Sequence, residues 1–300
     1  MSDRAGLVKS DPKGQTGHYT CVSQIGCEGV VSVLSEEQSY LFDTFGYIVV
    51  PDVLSQNQVE LLRSTLKQPT EQFEPVAQAD NPLHWHSVWR DLLDLPALTP
   101  ILEALVGNHA FRSAFFKAKG KAPYPTFRLD HINVHTHVKN GFPGAQLHGG
   151  WLNSGGSQFF RYHDGQFYNG LIAVSFELHD TFGNDGGLAC IPGTHKSNVA
   201  LPPNWRDLSQ GVHESISRIA ARAGDAIVFT EALTHGTLPW TVDDPRETVF
   251  YKFSPHGTTW SADFLDPRDF AHYEDMDARR MAILEAPNAR YPGRPTQWPG

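Results

Sequence analysis

Residues 170–192 read GLIAVSFELHDTFGNDGGLACIP. Two apolar runs, 170–178 and 188–192, flank a stretch of Asp, Asn and Gly that favours turns. Each is too short for a helix that could stand on its own and too apolar for a loop, so both read as strands. The pattern repeats outward on both sides, as FRLDHINVHTHV at 127–138, DAIVFTEALT at 225–234 and ETVFYKFSP at 247–255. Many short strands separated by Gly, Pro, Asn and Asp turns predict a mainly β fold of the α+β class, a barrel or sandwich with helices packed outside.

The helices are expected earlier in the chain. In 34–66, LSEEQSYLFDTFGYIVVPDVLSQNQVELLRSTL, Ser35 stands before Glu36 and Glu37, an N-cap with acids in the first turn. Leu41, Phe42 and Phe45 continue a helical stripe and Gly46 stops it. Tyr47 to Val50 is a short strand, and Ser55 caps a second helix carrying Val59, Leu61, Leu62 and Leu66. Residues 1–34 show little periodicity and read as an N-terminal arm. Residues 35–285 show no linker-like shift in composition and read as one domain, and the Pro-rich 286–300 as a tail.

Composition excludes several classes. The 300 residues carry 24 Lys plus Arg against 33 Asp plus Glu, a net charge of −9, which argues against nucleic acid as a partner. No run approaches the ~18 apolar residues of a spanning helix, so no membrane is expected. Cys21, Cys27 and Cys190 have neither disulfide-framework nor zinc spacing, and the polar N-terminus has no apolar core of a signal peptide. A cytoplasmic protein fits these features. Oligomeric state is not readable.

The chemistry is expected at the histidines, of which there are 15. His148 follows a Pro-Gly turn within Gln146-Leu147-His148-Gly149-Gly150. His235 ends the run 225–234 and precedes Gly236 and Thr237. Arg246 comes eleven residues after His235, across a turn that can return it to His235's side, where a guanidinium can clamp a carboxylate. Two imidazoles and an anion clamp at a barrel mouth suit a non-haem Fe(II) oxygenase. His131, His135 and His137 share one strand parity, which suits a wet pocket wall or, less simply, a second metal site.

Residues 35–255 resemble the phytanoyl-CoA dioxygenase family of Fe(II)- and 2-oxoglutarate-dependent oxygenases. The resemblance is carried by LFDTFGYIVVPDV (41–53), NDGGLACIPGTHK (184–196), GDAIVFTEALTHGT (224–237) and Arg246. It implies a double-stranded β-helix, a jelly-roll or cupin-like barrel. It further implies a dioxygenase that uses O2 to oxidise an unactivated C–H bond of a small-molecule substrate. By residue, it implies His148 and His235 as metal ligands, Arg246 and Thr237 as the hold on the cosubstrate's distal carboxylate, and Asn133 and His135 as pocket-lining residues near it. Trp151, Phe160, Arg161 and Tyr162 follow the first histidine and are the expected substrate side. His195 is expected to be structural.

One position departs from the family. Its carboxylate ligand, two residues after the first histidine, is here Gly150. Three readings stay open. The missing side chain can leave room for chloride on iron, as in Fe(II)/2-oxoglutarate halogenases, which carry Ala or Gly there. Another acid can take the place, and Glu231, four residues before His235, is the best positioned, ahead of Glu177 and Asp185. Or the site has lost its metal and the chain is a non-catalytic binding barrel. His84-Trp85-His86 is expected at the surface. No phosphate-binding Gly-rich loop or Ser-His-Asp order is present.

Overall fold

The computed structural model describes residues 34–66, 81–106, 125–139, 145–150, 156–182, 185–208 and 211–287. All of the expected arm but Leu34, most of the tail, Cys21, Cys27 and Trp151 lie outside them.

Helix α1 (Glu36–Phe45) opens with a capping box: Ser35 Oγ accepts from Gln38 N, and the Gln38 side chain accepts from Ser35 N, both at 3.0 Å. It closes at Gly46, whose φ of 83° suits glycine. Gly46 has a second reason to be glycine, because a Cβ there would lie 2.6 Å from His195 Nδ1. Strand β1 (Tyr47–Val50) follows, then α2 (Gln56–Thr65) with the same box from Ser55 and Gln58. Short helices α3 (Ser87–Asp91) and α4 (Thr99–Val106) follow among the described residues.

The strands are β2 (Phe127–His137), β3 (Ala145–His148), β4 (Phe160–His163), β5 (Gln166–Asn169), β6 (Ile172–Glu177), β7 (Gly187–Ile191), β8 (Ser217–Arg218), β9 (Ala226–Thr230), β10 (Thr234–Leu238) and β11 (Arg246–Pro255), before a last helix α5 (Ala278–Ile283). They form a five-stranded sheet in the order β1-β9-β6-β11-β2 and a four-stranded sheet in the order β3-β10-β7-β8, with β4-β5 a separate hairpin. All pairs are antiparallel. This is the mainly β, double-stranded β-helix architecture with flanking helices that the sequence predicts.

Alternation sorts the larger sheet into two faces. Val174, Phe176, Val228, Val249, Tyr251 and Phe253 join one core with helix residues such as Phe42, Leu62, Trp89 and Leu102. The opposite parity (Ala173, Ile227, Phe229 and Phe250) packs with Leu188 and Cys190 of the smaller sheet. Burial there pushes the Cys190 thiol up to about 12, so this cysteine is an inert core residue.

Two expectations fail. The run 225–234 is not one strand: β9 ends at Thr230, a turn closed by Leu233 N donating to Thr230 O at 2.9 Å follows, and β10 begins at Thr234 in the other sheet. His84-Trp85-His86 is not simply surface. His84 stacks on Phe270 at 4.4 Å and bonds Tyr273 Oη, Trp85 meets Trp89 edge-on, and His86 Nδ1 caps α3 by accepting from Val88 N at 3.1 Å, so all three are half-buried and engaged.

Candidate metal and cosubstrate site

Strands β3 and β10 bring His148 directly opposite His235. The two rings lie 4.2 Å apart, centroid to centroid. Each ring donates from Nδ1 to the carbonyl two residues earlier, His148 to Gln146 O at 2.9 Å and His235 to Leu233 O at 2.7 Å. A carbonyl can only accept, so both protons sit on Nδ1 and both Nε2 lone pairs are left for a ligand. This is the orientation that metal-binding histidines need. Burial, then the neighbouring His148, lowers the His235 pKa to about 3, which keeps its ring neutral at ordinary pH.

The third donor comes from the β9–β10 turn. Glu231 Oε2 lies 3.8 Å from His235 Nε2. One donor atom each from His148, Glu231 and His235 lies within 4.8 Å of the others, the one such grouping of His, Cys, Asp or Glu among the described residues. Two imidazoles and a carboxylate on one side of a pocket are the donor set for Fe(II) with open positions. Glu231 is buried. Burial alone would raise its pKa, but Lys252, then His235 and His148, outweigh it and hold the carboxyl at about 2. Lys252 Nζ sits 2.9 Å from Glu231 Oε1, so one carboxylate oxygen faces a fixed cation and the other the imidazoles.

The geometry at position 150 explains why the acid is elsewhere. Strand β3 ends at His148, and the chain turns through Gly149 and Gly150 with φ of 87° and 81°. Residues 148 and 150 therefore do not share a strand face, as they would if β3 ran on through Gly150. A Cβ on Gly149 would lie 2.2 Å from Leu233 O, and one on Gly150 2.5 Å from Thr234 Oγ1. Gly150 N also donates to Ala232 O at 2.7 Å, which draws this turn onto the Glu231 turn.

A cavity of about 230 Å³ opens between the sheets. His131, Asn133, His135 and His137 of β2 line it, as do Thr237 and Lys252. The β2–β11 register gives it two ends, because Arg246 pairs with His137 and Thr248 with His135, whereas Lys252 pairs with His131. At the Arg246 end, Arg246 is 1 % exposed and donates from Nη2 to both oxygens of Glu177, at 2.9 and 3.2 Å. Its Nε and the Oγ1 of Thr248 are buried with no hydrogen-bond partner. Two orphaned donors on one strand face are a cradle that a carboxylate would satisfy. Burial, then the cations Lys252 and Arg246, lowers His135 to about 4. Burial, then Arg246 and His135, lowers His137 to about 3.

Of the substrate-side residues read from sequence, Trp151 lies outside the described residues, and Phe160, Arg161 and Tyr162 do not line this cavity. Phe160 packs on Phe42, Phe167 and His195. Arg161 is exposed and lies over Phe159 at 4.9 Å, and Tyr162, 54 % exposed, leans on Phe167. The reason is that residues 160–163 pair with β5 as a surface hairpin instead of folding inward. His195, expected to be structural, donates from Nε2 to Asp43 O at 3.0 Å and ties the Pro-Gly-Thr-His-Lys segment to α1. Sequence reasoning missed Lys252 and Thr248, and it named Glu177 only as an alternative metal acid, whereas the structure places it as the partner of Arg246. The first two share parity with Arg246 on β11, and a lysine inside FYKFS was the available signal.

A phytanoyl-CoA dioxygenase (PhyH) family model matches residues 42–248. Curated proteins give no significant match. Among solved structures, HygX from Streptomyces hygroscopicus with iron bound is 25% identical, with a TM-score of 0.60, covering 78% of this chain and 91% of its own. HygX with nickel, 2-oxoglutarate and hygromycin B bound is 24% identical, with a TM-score of 0.61, over 78% of this chain and 92% of its own. EctD from S. alaskensis with 2-oxoglutarate and 5-hydroxyectoine is 18% identical, with a TM-score of 0.52, over 76% and 79%; this likeness is one of fold. No helix among the described residues is long and apolar enough to cross a membrane. The family match spans more than two thirds of the sequence and includes both histidines, the turn that carries Glu231, and Arg246: the chain belongs to the phytanoyl-CoA dioxygenase family.

Proposed function

We propose that this protein is an Fe(II)- and 2-oxoglutarate-dependent oxidoreductase, a dioxygenase that oxidises an unactivated C–H bond of a small molecule. The observation that carries the reading is the meeting of His148, His235 and Glu231 donor atoms within 4.8 Å, with both imidazoles fixed as Nε2 donors. Iron in HygX supports the metal. When bound, iron(II) with 2-oxoglutarate supplies O2-dependent oxidation of a C–H bond, with succinate and CO2 as co-products.

The chain's own residues have separable tasks. His148, His235 and Glu231 hold the metal, and Lys252 fixes the carboxylate they share. Arg246 Nε and Thr248 Oγ1 bind the distal carboxylate of the cosubstrate, with Thr237, Asn133 and His135 along its wall. Glu177 grips the far side of the Arg246 guanidinium and orients it. The substrate takes the Lys252 end of the cavity, and the apolar packing behind it excludes water. Glu231 offers a carboxylate where halogenation would need an open position, so we assign C–H oxygenation and no chloride.

Anaerobic titration with Fe(II) and 2-oxoglutarate, read by visible charge-transfer absorption, tests the reading. A band that Glu231→Ala abolishes and chloride leaves unshifted is expected. A band that survives Glu231→Ala and shifts with chloride would instead establish a two-histidine halogenase site.

A further inference from the structure

The Lys252 end of the cavity holds a pair of residues with no part in metal or cosubstrate binding. Strand β2 bulges at Asp130, since Lys252 pairs with His131 and Phe253 with Leu129, which leaves Asp130 as the extra residue. Bulges of this kind re-aim side chains beside functional sites. Asp130 is fully buried in its side chain. It accepts from His131 Nδ1 at 2.7 Å, from Trp260 N at 3.0 Å, Ser261 N at 3.1 Å, Thr259 Oγ1 at 3.0 Å and Arg128 Nη1 at 3.1 Å. Burial opposes its charge, yet the bond to His131 and these further partners lower its pKa to about 2. Asp130 is thus a rigid anionic anchor, and His131 is held by it in one orientation.

With Nδ1 committed to Asp130, Nε2 is the atom that His131 has left to offer the cavity it lines. Trp260 lines the same end, 49 % exposed, with its indole 4.9 Å from the His131 ring. Among the described lining residues, Asn133 and Gln158 add neutral amides to the cavity. Among the described residues, the cations of this end are already engaged, Lys252 by Glu231 and Arg128 by Asp130. A fixed imidazole, neutral amides and an open indole face, with no uncommitted charge among them, suit a ligand that is itself uncharged, donates hydrogen bonds and has a flat, less polar face.

We propose that the substrate class is a neutral, hydroxyl-bearing ring, one hydroxyl of which donates to His131 Nε2 while the ring face lies on Trp260. The proposal rests on the reading of the cavity as a metal-and-cosubstrate site, and it assigns His131 and Trp260 as residues of substrate recognition, with Asp130 positioning His131.

The test is saturation-transfer NMR on the full chain loaded with zinc and 2-oxoglutarate. The probes are myo-inositol and methyl glucoside, with cyclohexanecarboxylate and cyclohexylamine as charged controls lacking hydroxyls. Transfer to the two polyols and not to the controls is expected. His131→Phe keeps the ring and loses the acceptor, and Trp260→Ala removes the platform; each is expected to weaken polyol binding about tenfold. Neither touches the zinc donors, so zinc affinity by calorimetry stays at the wild-type value. Polyols that fail to bind, controls that bind as well, or polyol binding untouched by both variants would each overturn the proposal. Zinc binding is measured separately and the polyols are recorded with and without it, so failure of the metal reading appears in the calorimetry alone.

Discussion

In the proposed metal site Glu231 is the carboxylate, and its neighbours show what that arrangement demands. Gly149 sits where any Cβ would overlap the Leu233 carbonyl at 2.2 Å, in a left-handed conformation. Gly149→Ala therefore costs more than about 2 kcal/mol, read as a lowered urea midpoint, because the obstacle is backbone and cannot swing away. At Gly150 the obstacle is the end of the Thr234 side chain, so an aspartate there is tolerated better, but its backbone does not aim it beside His148. We expect Gly150→Asp added to Glu231→Ala to bind Fe(II) no better than Glu231→Ala alone, measured by calorimetry. At this scale the sequence was half legible. His148, His235 and the absence at 150 could be read, and Glu231 stood among the alternatives. Lys252 and Thr248 could not be singled out, because their roles depend on which turn and which strand lie opposite them.

The informative element is β11. One face carries Arg246, Thr248, Phe250 and Lys252, the last two lining the cavity, and the other carries Val249, Tyr251 and Phe253 against the helices. Tyr251 Oη donates to Trp89 O at 2.7 Å in a fully buried setting. Tyr251→Phe leaves that carbonyl without its donor and costs about 1–3 kcal/mol, with a lower melting temperature and unchanged Fe(II) affinity, since the lesion is on the helix face. A loss of Fe(II) affinity would show that the two faces are not independent. Strands of this kind were legible from their composition. The β9–β10 break was not: both halves of 225–234 are β-formers, and the Glu-Ala-Leu between them contains no Gly, Pro or Asn to mark a turn. The turn is imposed by the two sheets on either side, a tertiary effect that outweighs local propensity.

For the molecule as a whole, buried neutral imidazoles set the response to acid. His135 and His195 are lowered to about 4 and His137 to about 3, from an ordinary value of 6.5, with burial the largest cause in each. Their folded-state pKa lies below the unfolded one, so the unfolded chain binds the extra protons. Their contribution is complete above about 6.5 and is lost as the pH falls from there toward 4 and then 3. The metal-free protein is thus expected to melt at steadily lower temperature between pH 7 and 4, and a flat profile there would show that these rings charge without unfolding. The general plan, strands enclosed by early helices, was legible because alternation and capping are local signals. The pairing order of the sheets was not, since only distant contacts fix it. The smaller sheet contributes His148 and His235, and the larger sheet runs directly into Glu231 and carries the Lys252 that holds it. The donor set is in effect a rivet through two plates. Prising the plates apart and scattering the donors are one event, so resistance to heat and to proteases should climb with the logarithm of free metal concentration and fall away under a chelator.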